Sequence, residues 1–151
     1  MLDTAAEQGG KDVCVLVVED DTMLRRVVVK TLLSWGFDIR EACDGGVALE
    51  QIEIAGDDLH AMLLDVMLPV LDGVAVAERV RVDRPNLPIV ACSAALDDEM
   101  RARLFAVGVR HFLPKPYSAD SLLAMLRVAI RGRGDSPSST LSPGRGRPDG
   151  G

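Results

Sequence analysis

The chain has 151 residues, of which 48% are apolar, and a formal net charge of −6. This length is sufficient for one ordinary hydrophobic core and does not require a second domain. The acidic balance argues against nucleic acid as a direct partner, because binding of phosphate groups needs a clustered basic face.

A membrane location, a zinc site and a disulfide framework are also disfavoured. The longest apolar run, residues 13–18, is too short to cross a bilayer, and residues 1–12 lack the basic start of a targeting segment. The three cysteines, Cys14, Cys43 and Cys92, are widely spaced, and only two histidines accompany them. We therefore expect a cytoplasmic protein without a membrane partner, whose cysteines are buried free thiols.

Short apolar runs alternate along the chain with stretches of helical periodicity. The predicted strands are residues 13–18, 37–42, 61–64, 88–92 and 111–113. Capping residues and glycines mark the ends of the helices between them. The predicted helices run from Asp21 or Thr22 to Gly36, from Gly45-Gly46 to near Gly56, from about Val74 to before Pro85, over residues 96–107 with Gly108 as the stop, and onward from the N-cap Ser118.

This alternation predicts an α/β domain with a mostly parallel sheet over residues 12–131. Residues 1–11 are expected to be a disordered N-terminus. Residues 132–151 are rich in Gly, Ser, Pro and Arg, and Leu141 is their only large apolar side chain. Such a segment cannot bury enough apolar surface to offset the entropy of ordering, so we expect a disordered tail.

Charged and polar side chains follow four of the predicted strands. Glu19 and Asp20 come after the first strand, Asp65 after the third, Ser93 after the fourth and Lys115 after the fifth. Each alone has an ordinary explanation as a turn acid, a helix cap or a surface charge. In an open parallel sheet, however, ligands bind beyond the carboxyl ends of the strands, so these residues together predict one functional site.

The residue types indicate the chemistry of that site. Three carboxylates, Glu19, Asp20 and Asp65, against the single cation Lys115 call for a divalent ion, and oxygen ligands select Mg²⁺ or Mn²⁺. A carboxylate such as Asp65 can act as a nucleophile toward phosphorus. Lys115 and the ion would neutralise the transferring group, and Ser93 could donate a hydrogen bond to it. Because no GxxxxGK[ST] or GxGxxG loop is present, the phosphoryl donor is expected to be another molecule.

Four motifs, in this order and spacing, carry a resemblance to a known family. They are VLVVEDD at residues 15–21, LDVMLP at residues 64–69 with Asp72-Gly73, Ser93-Ala94, and Lys115-Pro116. Over about residues 12–131 the chain resembles the receiver domain of bacterial two-component response regulators. The resemblance implies a (βα)₅ flavodoxin-like, doubly wound fold with five parallel strands in the order 2-1-3-4-5. It also implies a cis peptide bond between Lys115 and Pro116.

The resemblance further assigns roles to individual residues. Asp65 would accept a phosphoryl group from the phosphohistidine of a sensor histidine kinase or a histidine phosphotransfer protein. Mg²⁺ would be bound by Glu19 or its waters, by Asp20, by Asp65 and by the backbone carbonyl of Met67.

The resemblance also implies a switch. Ser93 would move toward the phosphoryl group, and the aromatic side chain of Phe112 would swing inward behind it. Phe112 lacks the hydroxyl group that many relatives carry. Met67 and Ala95 are apolar at positions that tune loss of the phosphoryl group, which favours a moderately long-lived phosphorylated state.

The expected function is a signalling switch rather than an enzyme, one that at most catalyses its own phosphorylation and dephosphorylation. Phosphorylation would change the surface of helix four, strand five and helix five, which would then bind a downstream protein or form a dimer. A stand-alone receiver, a phosphorelay intermediate and the receiver portion of a hybrid kinase all stay open. A phosphatase of the haloacid dehalogenase kind would need a second acid two residues after Asp65, where this chain has Met67. A flavin-binding protein is disfavoured because the strand ends are acidic.

Overall fold

The computed structural model describes residues 13–68 and 71–134. Five parallel strands form one sheet in the order β2-β1-β3-β4-β5, which confirms the predicted fold class and strand order. The strands are β1 (Cys14–Val18), β2 (Asp38–Ala42), β3 (Leu59–Asp65), β4 (Ile89–Ser93) and β5 (His111–Pro114). The helices are α1 (Thr22–Ser34), α2 (Gly45–Ala55), α3 (Gly73–Asp83), α4 (Asp98–Ala106) and α5 (Ala119–Gly134), and a 3₁₀ helix, Gly56–Asp58, precedes β3.

Both faces of the sheet are covered, so the inner strands are continuous apolar runs rather than alternating ones. On one face, Leu16, Met62 and Ile89 pack with side chains of α2, α3 and α4. On the other face, Val17 and Leu63 pack with side chains of α1 and α5. Because successive side chains of a strand point to opposite faces, a shift of one residue in register would exchange the two cores. The register of the sheet is therefore strongly specified.

The helix ends follow the sequence signals. Four aspartates cap four helices, each accepting a hydrogen bond from a backbone N–H three residues later. They are Asp21, Asp44, Asp72 and Asp97. The hydroxyl of Ser118 accepts from Ser121 N (3.0 Å), as predicted for the cap of α5. Gly36 and Gly108 follow α1 and α4 with φ of 92° and 93°, the left-handed region that favours glycine.

The structure corrects several boundaries. Asp65 and Ser93 are the last residues of β3 and β4 rather than the first residues beyond them. The helix α5 continues to Gly134, three residues past the predicted end of the domain; the rest of the predicted tail and residues 1–11 lie outside the described residues.

Cys14 and Cys92 are buried free thiols as expected, but Cys43 is exposed. No helix within residues 13–68 and 71–134 has the length and apolar character needed to span a bilayer.

The side chain of Arg81, on α3, donates hydrogen bonds to two turns, one before β4 and one before β5. Its guanidinium donates to the carbonyls of Pro85 (2.8 Å) and Leu87 (3.0 Å) before β4, and to that of Val107 (3.1 Å) before β5. Burial, and then the nearby charge of Arg110, lower the pKa of Arg81 from its ordinary value. One charged group thus satisfies backbone acceptors from two segments.

Replacing Arg81 by Met should lower the free energy of unfolding by about 2–3 kcal/mol, because partly buried carbonyls lose a charged donor. Urea denaturation followed by circular dichroism measures this change. Arg79→Met, at an exposed position of the same helix, is the matched control and should be near neutral. Equal stability of the two variants would contradict the assignment.

Gly73 lets the start of α3 approach the loop that follows Asp65. A Cβ at this position would lie 2.3 Å from the Cα of Val66, far inside van der Waals contact. The backbone N–H of Gly73 also donates to the carbonyl of Val66 (3.1 Å). The loop from Asp65 to α3 is therefore closed by a contact that only glycine permits.

Gly73→Ala should destabilise the chain by about 1–3 kcal/mol, because backbone has to move away from the new methyl group. The control is Gly46→Ala in α2, where the nearest atom would be 3.5 Å away. That change should be neutral or stabilise by about 0.5–1 kcal/mol. Thermal unfolding of the two variants tests this difference, and a Gly73→Ala variant as stable as the wild type would refute it.

Candidate functional site

Three carboxylates meet at the carboxyl edge of the sheet. Glu19 follows β1 directly, Asp65 ends the neighbouring strand β3, and Asp20 begins the loop to α1. One oxygen from each of the three carboxylates lies within 4.8 Å of the other two. Glu19 and Asp65 are each only 4% exposed, whereas Asp20 is exposed. The cluster therefore has a buried base and one side open to solvent.

Lys115 supplies the positive charge. Its Nζ lies 2.7 Å from Glu19 Oε1 and 3.2 Å from Asp65 Oδ2. The residue comes directly after β5, and its backbone N–H donates to the carbonyl of Ser93 (3.0 Å) at the end of β4. The Lys115–Pro116 peptide bond is cis, as the family resemblance implied.

Backbone groups hold the second oxygen of each buried carboxylate. Glu19 Oε2 accepts from the N–H of Asp21 (3.1 Å), and Asp65 Oδ1 accepts from the N–H of Met67 (3.0 Å). On the outer side, the guanidinium of Arg25 donates to the backbone carbonyl of Glu19 (2.7 Å). Each buried carboxylate is thus oriented between the Lys115 ammonium and a main-chain donor, which satisfies both of its oxygens.

The site holds more negative charge than Lys115 balances. Burial raises the pKa of Glu19 even though the Lys115 hydrogen bond and the Asp21 N–H oppose the shift, and the charge of Asp65 adds to it. Burial alone would lower the pKa of Lys115, but its hydrogen bonds to Glu19 and Asp65 and their charges outweigh burial and raise it. Lys115 is therefore protonated at neutral pH, and a further cation would stabilise the carboxylates.

The donor set fits a hard divalent cation. The grouped ligand atoms are all carboxylate oxygens, and no other cation-ligating group of three or more is found among the described residues. Oxygen donors with an open side suit Mg²⁺ or Mn²⁺, which keep some of their waters. Met67 follows Asp65 by two residues and its side chain is 55% exposed.

Ser93 lies at the same edge of the sheet as the acids, and its hydroxyl is bonded to the backbone of the following loop. It is almost completely buried at the end of β4, one residue beyond Cys92, which pairs in register with Asp65. Its Oγ accepts from the N–H of Ala95 (3.0 Å). The hydroxyl therefore closes the turn that leaves β4.

Phe112 lies on β5 at the flank of this region. Its ring is half-buried and packs against the core formed with α2, α3 and α4. The guanidinium of Arg101, on α4, lies over the ring at 5.2 Å from its centroid. Phe112 thus bridges the sheet and the first turns of α4.

A cleft of about 530 Å³ opens beside the acids. Its lining includes Asp20, Asp72 and two thioether side chains, Met67 and Met100. Of the three clustered acids, the exposed Asp20 lines this cleft. Most of the other lining side chains are apolar, so a molecule bound in the cleft would make apolar contacts as well as electrostatic ones.

Sequence reasoning missed three contacts of this region. Arg25 contacts the Glu19 carbonyl, Arg101 lies on Phe112, and Cys92 is buried beside Asp65. Burial, and then the charge of Asp65, raise the pKa of the Cys92 thiol to about 12, so it stays neutral. The helical period places Arg25 and Arg101 only on their helices, and nothing local in the sequence indicates which neighbour the long side chain of a helical arginine contacts.

A family model and curated relatives both match this chain in sequence. The family model described as "Response regulator receiver domain" matches residues 15–127. The response regulator MprA of Mycolicibacterium vanbaalenii is 35% identical over 134 residues, which are 85% of this chain and 57% of the relative. MprA of Mycobacterium ulcerans is 37% identical over 117 residues, 78% of this chain and 50% of the relative. The chain thus spans about half the length of these curated relatives.

Solved structures agree with the sequence match. The chemotaxis protein CheY4 of Vibrio cholerae superposes with a TM-score of 0.74 at 28% identity, covering 78% of this chain and 98% of that one. The receiver domain of NtrX from Brucella abortus gives a TM-score of 0.71 at 29% identity, with the same coverage of both chains. The chain belongs to the response regulator receiver domain family, a family of signalling domains.

Proposed function

We propose that this receiver domain is a phosphoacceptor switch in which Asp65 takes a phosphoryl group from a phosphohistidine. The donor is a sensor histidine kinase or a histidine phosphotransfer protein. The observation that carries the proposal is the environment of Asp65, a buried carboxylate held between the Lys115 ammonium and the Met67 N–H within a cluster of three acids. The neighbouring cleft supports access of a donor side chain.

The metal site of the proposal consists of Glu19, Asp20, Asp65 and the backbone carbonyl of Met67, and it takes Mg²⁺ or Mn²⁺. The bound ion supplies positive charge that neutralises the oxygens of a phosphoryl group. Asp20 is the exposed member of the cluster, so it is the ligand that can adjust without disturbing the buried base. Glu19 and Asp65 are already oriented by their main-chain donors.

In the transfer step, an oxygen of Asp65 attacks phosphorus, the bond between phosphorus and the donor imidazole nitrogen breaks, and an acyl phosphate forms. Lys115 then contacts a phosphoryl oxygen in place of Asp65 Oδ2, retaining its proton. The Ser93 oxygen accepts from Ala95 N, so its proton is available for donation to another phosphoryl oxygen. The chain catalyses at most its own phosphorylation and its own dephosphorylation, in which water attacks phosphorus, the bond between phosphorus and the Asp65 oxygen breaks, and inorganic phosphate leaves.

Occupation of Asp65 shifts a two-state equilibrium that repositions Ser93, Phe112 and the surface of α4, β5 and α5. The weak anchoring of α4 supports this proposal, because Leu104 is the only fully buried side chain of that helix. Elements with few buried apolar contacts rearrange at a small cost in free energy. The altered surface binds a downstream protein or a second copy of the chain.

Acetyl phosphate with Mg²⁺ should add one phosphate to the wild-type chain and none to Asp65→Asn, because the amide is a far weaker nucleophile. Intact-mass spectrometry detects the adduct. Asp72→Asn is the control, since it alters another acid of the same cleft while asparagine also caps helices well. An adduct on Asp65→Asn equal to that on the wild type would refute the assignment.

Asp20→Asn should weaken Mg²⁺ binding by about tenfold or more, because one charge of the cluster is lost. Isothermal titration calorimetry with Mg²⁺ measures the affinity. The neighbouring change Asp21→Asn should leave it nearly unchanged, since that side chain caps α1 and does not belong to the cluster. Equal losses of affinity in both variants would show that Mg²⁺ binding depends on the net charge of this region rather than on the acidic cluster.

A further inference from the structure

The geometry points to Arg101 as a positioning residue of the switch: its guanidinium holds the Phe112 ring in the orientation seen here, and release of the ring requires this contact to break. We call this contact the Arg101 latch. The inference rests on the proposed function, since it concerns the same switch. It adds a residue of α4 that determines how readily the switch moves.

The contact joins two different elements. Arg101 is the fourth residue of α4, and Phe112 is the second residue of β5. A distance of 5.2 Å between the guanidinium carbon and the ring centroid is within the range of a cation–π interaction. Because phenylalanine has no hydroxyl group, a hydrogen bond to a ring substituent cannot orient this side chain. The face of the ring is thus the part that a polar neighbour can hold.

Arg101 is itself fixed to the loop that leaves the site. Its Nε donates to the carbonyl of Leu96 (3.3 Å), two residues before α4 begins. Leu96 follows Ala95, whose N–H donates to the Ser93 hydroxyl (3.0 Å). A continuous series of contacts therefore leads from Ser93 through this short loop and Arg101 to the ring of Phe112.

This series predicts the direction of the effect. A Ser93 hydroxyl that turns toward a phosphoryl oxygen loosens its bond to Ala95, and the Leu96 carbonyl shifts with the loop. Arg101 then loses its anchor, and its hold on the ring weakens. The latch thus favours the unphosphorylated orientation, and removing it should favour the activated one.

A second pair of the same type provides a matched control. Arg110 lies over the ring of Phe105 at 3.9 Å, also between α4 and the segment that leads into β5. Its guanidinium donates to the carbonyls of Phe105 and Val109, and neither carbonyl belongs to the loop after Ser93. Loss of this pair removes a cation and a ring contact but leaves the proposed series intact.

The test uses the full chain labelled with ¹³C in phenylalanine, of which there are three, and a titration with beryllofluoride and Mg²⁺. Without beryllofluoride, the Phe112 ring signals of Arg101→Gln should lie displaced from those of the wild type toward the saturated position. The half-saturating beryllofluoride concentration should fall about two- to fivefold, as expected for loss of one cation–π contact. Arg101→Lys keeps the cation and should restore most of the wild-type behaviour, and Arg110→Gln should titrate as the wild type does.

The outcomes separate the latch from the proposed function. If the wild type responds in an Asp65-dependent manner while Arg101→Gln titrates identically and its Phe112 signals are unmoved, the latch is wrong and the switch stands. Equal effects of Arg101→Gln and Arg110→Gln also overturn the latch, because a general loss of stability in α4 would then explain both. A wild-type chain without any Asp65-dependent response contradicts the proposed function, and the latch with it.

Discussion

Two carboxylates, Glu19 and Asp65, are buried side by side against one ammonium group, and the other features of the site depend on this arrangement. Taking charges out of water is unfavourable unless they are paired and hydrogen-bonded. Lys115 and two main-chain donors meet that requirement for the buried pair, and Asp20 adds a further negative charge at the exposed side. The imbalance makes the site attractive to a hard cation and to chemistry in which that cation offsets added negative charge.

The parallel sheet brings these groups together. Lys115 and Glu19 are 96 residues apart in the chain, yet their side chains lie 2.7 Å apart, because β5 and β1 end at the same edge. Cores on both faces keep the strand ends in register, and Gly73 closes the loop after Asp65 against its own backbone. Glu19 and Asp65, the two buried acids, therefore lie at the ends of strands that are packed on both faces.

The ends of the inner strands are well packed, whereas the neighbouring helix α4 buries little of its surface. The helix α4 has a single fully buried side chain, Leu104, and begins three residues after Ala95, the end of the turn closed by Ser93. A small rearrangement at a rigid site is amplified when the adjoining element has two arrangements of similar free energy. Arg101 and Phe112 lie where these two regions meet, which is why their contact bears on the balance between the arrangements.

The sequence predicted the five strand and helix units, the N-caps at Asp21 or Thr22 and at Ser118, and the residues at the strand ends, because these follow from local periodicity and from side chains close in the chain. It missed that β3 and β4 include Asp65 and Ser93, since backbone pairing continues past the last apolar side chain. Strand order came from the resemblance of four motifs, and the roles of the site residues stay predictions. Three contacts became visible only in the folded chain: Lys115 bonds both Glu19 and Asp65, the Ser93 hydroxyl bonds Ala95, and Arg101 lies over Phe112. Those contacts depend on how each helix is rotated against the sheet, which packing across the whole domain sets.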